Sequence, residues 1–173
     1  MTHVLSPSEF DSYYGSYIRK IEAVSVSEAL SYDMDLWESF FKNITEKNDL
    51  SPYAPGKWSV KQVLQHCMDT ERIFSTRALM FARGETQNIA GYDHDLYALN
   101  SRADASSLLR LKSEFVALRN STRVLFESFS NVEMQKVGTA NDKKVSVRAL
   151  AYIIPGHCIH HFNVLRNKYD LAF

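Results

Sequence analysis

Apolar side chains recur along this chain at intervals of three and four, the spacing that gathers them on one face of a helix. Leu30, Met34, Trp37, Phe41 and Ile44 predict a helix over about 26–46, opened by a capping box in which Ser25 stands three residues before Glu28. A second stripe, Val60, Val63, Leu64, Cys67, Phe74, Ala78 and Phe81, predicts a helix that opens at Trp58-Ser59. Ser59 and Gln62 form its capping box, and it stops near Gly84, just after Arg83. Leu108, Leu111, Phe115, Leu118, Thr122, Leu125 and Phe129 form a bundle seam. A final helix starts at the cap Ser146 and reaches about Lys168, its inward face set by Val147, Leu150 and Ile154. Ahead of these, residues 8–24 read as a short aromatic helix in which Tyr13, Tyr14 and Tyr17 crowd together.

The segments between are polar. Residues 47–57 carry Asn48, Asp49, Pro52, Pro55 and Gly56 and mark a connection. From 84 to about 104 the chain is loop-like and includes Gly91-Tyr92-Asp93-His94-Asp95, a length that is unusual in a compact domain and often functional. Residues 131–145, with Gly138, Asn141 and Asp142, form a polar loop with room for a hairpin-like turn. No internal repeat, low-complexity tract or β-rich region is present. Four long amphipathic helices imply an all-α four-helix bundle with a short extra N-terminal helix, one domain over 1–173.

Composition narrows the function. The 173 residues suffice for one core but hardly for a second domain, and 45% hydrophobic with 23% charged residues is ordinary globular usage. Twenty basic and twenty acidic side chains cancel, so no field draws the chain to nucleic acid or an anionic membrane, and neither is an expected partner. Two cysteines, Cys67 and Cys158, make no disulfide framework and show no zinc-finger spacing, which fits a reducing compartment. The stretch Met1–Pro7 has no basic region followed by an apolar one, and no run approaches a membrane span, so the expected location is the cytoplasm.

The histidines carry the chemical signal. On the final helix the core rhythm continues from Ile154 to His157, His161 and Val164, placing two imidazoles where core side chains are called for. Residues i and i+4 lie one above the other, so both rings can reach one ion, and neutral imidazole suits zinc or nickel. His66, beside the buried stripe of the 58–83 helix, could face them and complete a three-histidine site. That would leave a coordination position open, as catalytic sites do. The competing reading is a set of core histidines satisfied by hydrogen bonds. His160 is a rival partner for His157 but lies off the stripe and flanks the site; His3 looks terminal and unimportant. Pro155 either kinks the last helix so as to aim His157 inward or is a tolerated irregularity.

At these residues the chain resembles the DinB/YfiT-like superfamily of metal-binding four-helix bundles. The matching stretches are Gly56-Lys57-Trp58-Ser59-Val60-Lys61-Gln62-Val63-Leu64-Gln65-His66 with Asp69, Glu71 and Arg72; Arg77-Ala78-Leu79; Phe81-Ala82-Arg83-Gly84; Gly91-Tyr92-Asp93-His94-Asp95; Leu150-Ala151-Tyr152-Ile153; and Gly156-His157 with His160-His161. Together they cover about residues 28–168. The resemblance implies an up-down-down-up bundle with a long crossover between bundle helices 2 and 3, at about 84–104. It implies a divalent metal on His66, His157 and His161, with zinc or nickel expected and iron or manganese acceptable. Two positions depart from it: Pro155 stands where relatives have a small residue, and His94 sits in a segment that relatives fill with acidic residues.

The resemblance implies two activities, transfer of a low-molecular-weight thiol (bacillithiol, mycothiol or glutathione) to an electrophile, or metal-dependent hydrolysis. A site of neutral ligands leaves the ion its full charge, which acidifies a coordinated thiol or water. A non-catalytic stress-response metal protein and a metal-free structural bundle are the other readings. Asp69 could orient His66 or sit at the pocket rim, or be a surface charge. Tyr92, Asp93 and Asp95 could close over the metal or serve turn chemistry. His94 reads as a loop side chain, an extra ligand or a proton shuttle, and it and Asp93 are the catalytic candidates. Cys67 and Cys158 read as packing residues. Relatives pair as homodimers, so a second copy is an expected partner, and the 8–24 segment could cover the bundle or that copy.

Overall fold

The computed structural model describes residues 5–173; His3 lies outside the described residues. Ser6 caps a 3-10 turn at Pro7–Glu9 and Asp11 caps another at Ser12–Tyr14, which runs into the single turn α1 (Gly15–Ile18). The aromatic helix expected over 8–24 is thus broken into short turns. The reason is that Phe10 is extended and bridges Val145, while the Asp11 N–H donates to the Lys144 carbonyl at 2.8 Å. Those backbone groups are satisfied by the neighbouring strand and not by a helix.

The span expected as one helix over 26–46 is two, α2 (Val26–Ser31) and α3 (Met34–Asn43). The break comes at Asp33, which is buried and takes hydrogen bonds from Trp37 Nε1 (3.0 Å) and Arg119. At the start of α2, Ser25 accepts from the Glu28 N–H, but the Glu28 carboxylate takes the Val24 N–H. The next helix, α4 (Val60–Ala82), has both bonds of its Ser59–Gln62 capping box. It ends on Gly84 at φ +97°, with Glu85 N–H on the Met80 carbonyl and Gly84 N–H on that of Phe81. That is a Schellman stop.

The segment expected as an 84–104 loop contains α5 (His94–Asn100) and a 3-10 turn at Ala103–Ala105. Asp93 starts α5 by accepting from the Leu96 N–H at 3.0 Å, an N-cap signal inside a stretch too polar to show a helical stripe. Then follow α6 (Leu108–Glu127), α7 (Asn131–Met134), β1 (Val137–Ala140), β2 (Lys143–Ser146) and α8 (Val147–Lys168). The all-helical expectation therefore needs one correction. The β1–β2 hairpin pairs Gly138 with Val145 and turns through Asn141 and Asp142, both at positive φ, as a type I′ turn requires. Gly138 is needed there because a Cβ would fall 2.1 Å from the Phe81 ring.

The helices α2–α3, α4, α6 and α8 form the bundle, and their apolar faces make two clusters. One joins Phe74, Ala78 and Phe81 to Phe126 and to Leu150, Ile153 and Ile154; the other joins Leu64 and Met68 to Trp37, Phe40, Phe115 and Phe162. Along α8 the fully buried members of the first cluster end at Ile154 and those of the second begin at Cys158, so His157 falls between them. Between α4 and α6 the polar partners ascend together: Gln65 with Glu114, Glu71 with Arg119, Ser75 with Thr122. Arg119 is fully buried, and Glu71, Asp33 and the Leu30 carbonyl take its five N–H donors between them. The hairpin ties down the segment that follows α4, with Ile89 N–H donating to the Thr139 carbonyl and Asn141 N–H to that of Ile89. No described helix is long and apolar enough to cross a membrane.

Candidate metal centre

α8 continues through Pro155 and presents His157 and His161 one turn apart toward α4, where His66 faces them. His157 Nε2 stands 3.1 Å from His66 Nε2 and 3.1 Å from His161 Nε2. Ligand atoms of all three lie within 4.8 Å of one another. Gly156 makes part of this possible: a Cβ there would fall 2.3 Å from the Tyr17 carbonyl oxygen. Its absence lets the N-terminal segment press on α8 and set the Tyr17 ring edge-on to His157, centroids 5.4 Å apart. Trp58 packs on the other side, 4.6 Å from the His66 ring.

The three rings do not satisfy one another. One nitrogen, His157 Nε2, faces two others, and a neutral imidazole nitrogen either donates once or accepts. Burial, and then the neighbouring His94 and His160, push His66 down to about 4. Burial and the other histidines hold His157 and His161 well below the usual histidine range. All three are therefore neutral at physiological pH, the form that ligates metals. A divalent cation with nitrogens at about 2.0–2.1 Å, at tetrahedral or octahedral angles, keeps them about 2.9–3.4 Å apart. The two 3.1 Å separations fit that donor set without rearrangement.

A cavity of about 410 Å³ opens over the histidines, and Tyr13, Tyr14, Phe74, Arg77 and Tyr92 line it with them. Of the residues expected near the metal, Tyr92 lines this cavity and shares a 2.8 Å hydrogen bond with Thr70. His94 also lines it, its ring 6.0 Å from that of His66, with the side chain 59% exposed. His160 is exposed at the rim, edge-on to Tyr17. Asp93 is occupied in capping α5, and Asp95 is exposed beside His94, where it borders a separate groove with Trp58 and His161. Asp69 turns elsewhere: it accepts from Gln65 and Arg72 on the α6 side, not from His66.

Cys67 and Cys158 form a second group with His157. The hydrogen bond with Cys67, followed by burial, pushes the Cys158 thiol well up, so without a metal it is protonated. The pair packs in the second apolar cluster, as expected. From the sequence Thr70 carried no reading, Arg77 and Trp58 stood only in the stretches of the family resemblance and at the opening of a helix, and Tyr17 and Phe74 only as elements of helices. The signal for the α4 residues was available: 66, 70, 74 and 77 share one face at helical spacing.

A model of the DinB superfamily matches residues 29–165. No curated protein matches the sequence significantly. Among solved structures, YfiT from Bacillus subtilis is similar at a TM-score of 0.67 and 16% identity, over 96% of this chain and 91% of that one. That protein is described as a probable metal-dependent hydrolase with an unusual four-helix bundle topology.

Proposed function

The chain belongs to the DinB superfamily, and on that premise we propose that it is a divalent-metal-dependent enzyme that transfers a low-molecular-weight thiol to a small electrophile. The observation that carries this reading is the convergence of three neutral imidazole nitrogens at the base of a cavity whose described lining contains no carboxylate. Zinc or nickel on His66, His157 and His161 would supply Lewis acidity, lowering the pKa of a thiol or water that reached it.

The protein's own residues do the rest. The three histidines, kept neutral by burial, leave the full charge of the cation undiminished. Trp58 and Tyr17 hold two of the rings in place and keep water from their flanks. Thiol transfer needs no further base once the thiol proton is lost, which agrees with a cavity lined by tyrosine, histidine and one arginine. His94, exposed at the mouth and unattached to the histidine triangle, is placed to carry that proton to solvent. The reading includes an up-down-down-up bundle with its crossover over residues 83–107. It is supported by the α4–α6 partners that ascend together, and by α4–α8 partners in opposite order, Trp58 with Tyr169 and His66 with His157.

Hydrolysis is the second reading, favoured by the description of YfiT. The test is consumption of thiol by monochlorobimane in the presence of metal-loaded protein, run across cysteine, glutathione, bacillithiol and mycothiol. A rate above background with at least one thiol, lost in His157→Ala, is expected. No rate with any thiol would overturn transfer, and ester cleavage by the same preparation would then select hydrolysis.

A further inference from the structure

Among the described residues Arg77 is the one arginine or lysine lining the cavity over the histidines, and its guanidinium is left incomplete. The residue is only 5% exposed. Its Nη2 donates to the Ala90 carbonyl at 3.1 Å, while its Nε is buried with no partner. No Asp or Glu pairs with it among the described residues, and residues 1–4 contain no acid. Phe74 lies beneath it, 5.7 Å from the guanidinium carbon to the ring centroid. Burial pushes Tyr14 and Tyr92 up, and the nearby Arg77 charge partly offsets this, so both phenols are protonated donors around it. A buried, unpaired guanidinium is costly unless something of opposite charge visits it.

We infer that Arg77 is the binding site for a carboxylate carried by the substrate, in the cavity that the three histidines also line. The placement follows from α4. Arg77 comes three turns after His66 on the same face, and its side chain leans back toward the helix N-terminus, so that the Phe74 ring lies between the guanidinium and His157, 5.7 Å from the one and 6.4 Å from the other. A molecule that engages both is therefore small, acidic at one end and reactive at the other, with an aromatic wall along its length. The planar fork of an arginine matches a carboxylate in two parallel hydrogen bonds. This deepens the proposed function, since the carboxylate is offered as the recognition arm of that site's substrate.

The test compares 3-phenylpropionate with 3-phenylpropanamide by calorimetry, on the wild-type chain with and without bound zinc. The acid is expected to bind about tenfold to a hundredfold tighter than the amide. The preference should persist without metal, so failure of metal uptake and failure of acid recognition are read separately. Arg77→Gln should reduce the acid to the level of the amide, and Arg77→Lys should keep part of the preference. Equal binding of acid and amide by wild type, no binding of the acid, or undiminished acid binding by Arg77→Gln would each overturn the assignment. The unliganded Arg77→Gln variant should melt no lower than wild type, because an unmatched buried charge is removed. A variant that fails to fold would mark Arg77 as structural and overturn it too.

Discussion

Arg119 and the three histidines are buried polar groups of one bundle, and their surroundings differ in kind. Around Arg119 every donor meets an acceptor: two carboxylates, one backbone carbonyl, and a tryptophan that satisfies Asp33 in turn. Around His157 like meets like, with three neutral imidazoles crowded at 3.1 Å and no acid among the residues that line the cavity. The first arrangement is complete within the chain and belongs to its architecture. The second is incomplete, and it becomes complete only when something is added. Where the hydrogen-bond inventory closes, a buried charge reads as structure; where it does not, the molecule points to what it binds.

The largest effect that separates the two regions is expected at Arg119. Arg119→Met leaves Asp33 and Glu71 buried without a counter-charge, and should cost about 3–5 kcal/mol of unfolding free energy in urea titration. Metal content should be unchanged in whatever fraction remains folded. Removing a histidine should do the reverse. His157→Ala should leave the metal-free chain about as stable as wild type. It should also abolish the stabilisation by added zinc, which for wild type reaches about 2.7 kcal/mol at a hundredfold excess over Kd.

Acid provides the next contrast. Unfolded, each histidine titrates near 6.5; folded, His66 waits until about 4, and burial holds His157 and His161 well below the usual histidine range. Between those values the unfolded chain holds more protons, so the metal-free fold loses stability as pH falls from 6.5 toward 4. For His66 alone the loss is on the order of 1–3 kcal/mol, visible as a falling melting temperature across that window. A flat profile would mean that the imidazoles are not buried as neutral groups. The smallest effect is expected at Asp93. Asp93→Ala removes the cap of α5 and should cost about 1 kcal/mol while leaving zinc affinity as it was. A drop in zinc affinity or activity beyond that would give Asp93 a catalytic part.

What the sequence made legible follows the same division. Periodicity located α4, α6 and α8 to within about two residues, because each carries a long stripe and a side-chain cap. It placed His157 and His161 inward for the same reason. It did not reveal the break between α2 and α3, since Asp33 is buried through a contact with Arg119 that is distant in sequence. Nor did it reveal that Arg119, one position after Leu118 on the seam, is core and not surface. The N-terminal turns escaped because their backbone is satisfied by a strand more than a hundred residues away. Local pattern carries local structure; the pairings between remote polar residues had to be seen.

The proposed function stands on one divalent ion held by His66, His157 and His161. The most direct measurement is X-ray absorption at the zinc edge of the zinc-loaded protein. One zinc per chain is expected, with three imidazole nitrogens at about 2.0–2.1 Å and a light-atom ligand in the open position. A shell of sulfur at about 2.3 Å, which would put the ion on Cys67 and Cys158, would contradict it, as would a chain that takes up no zinc with all three histidines intact.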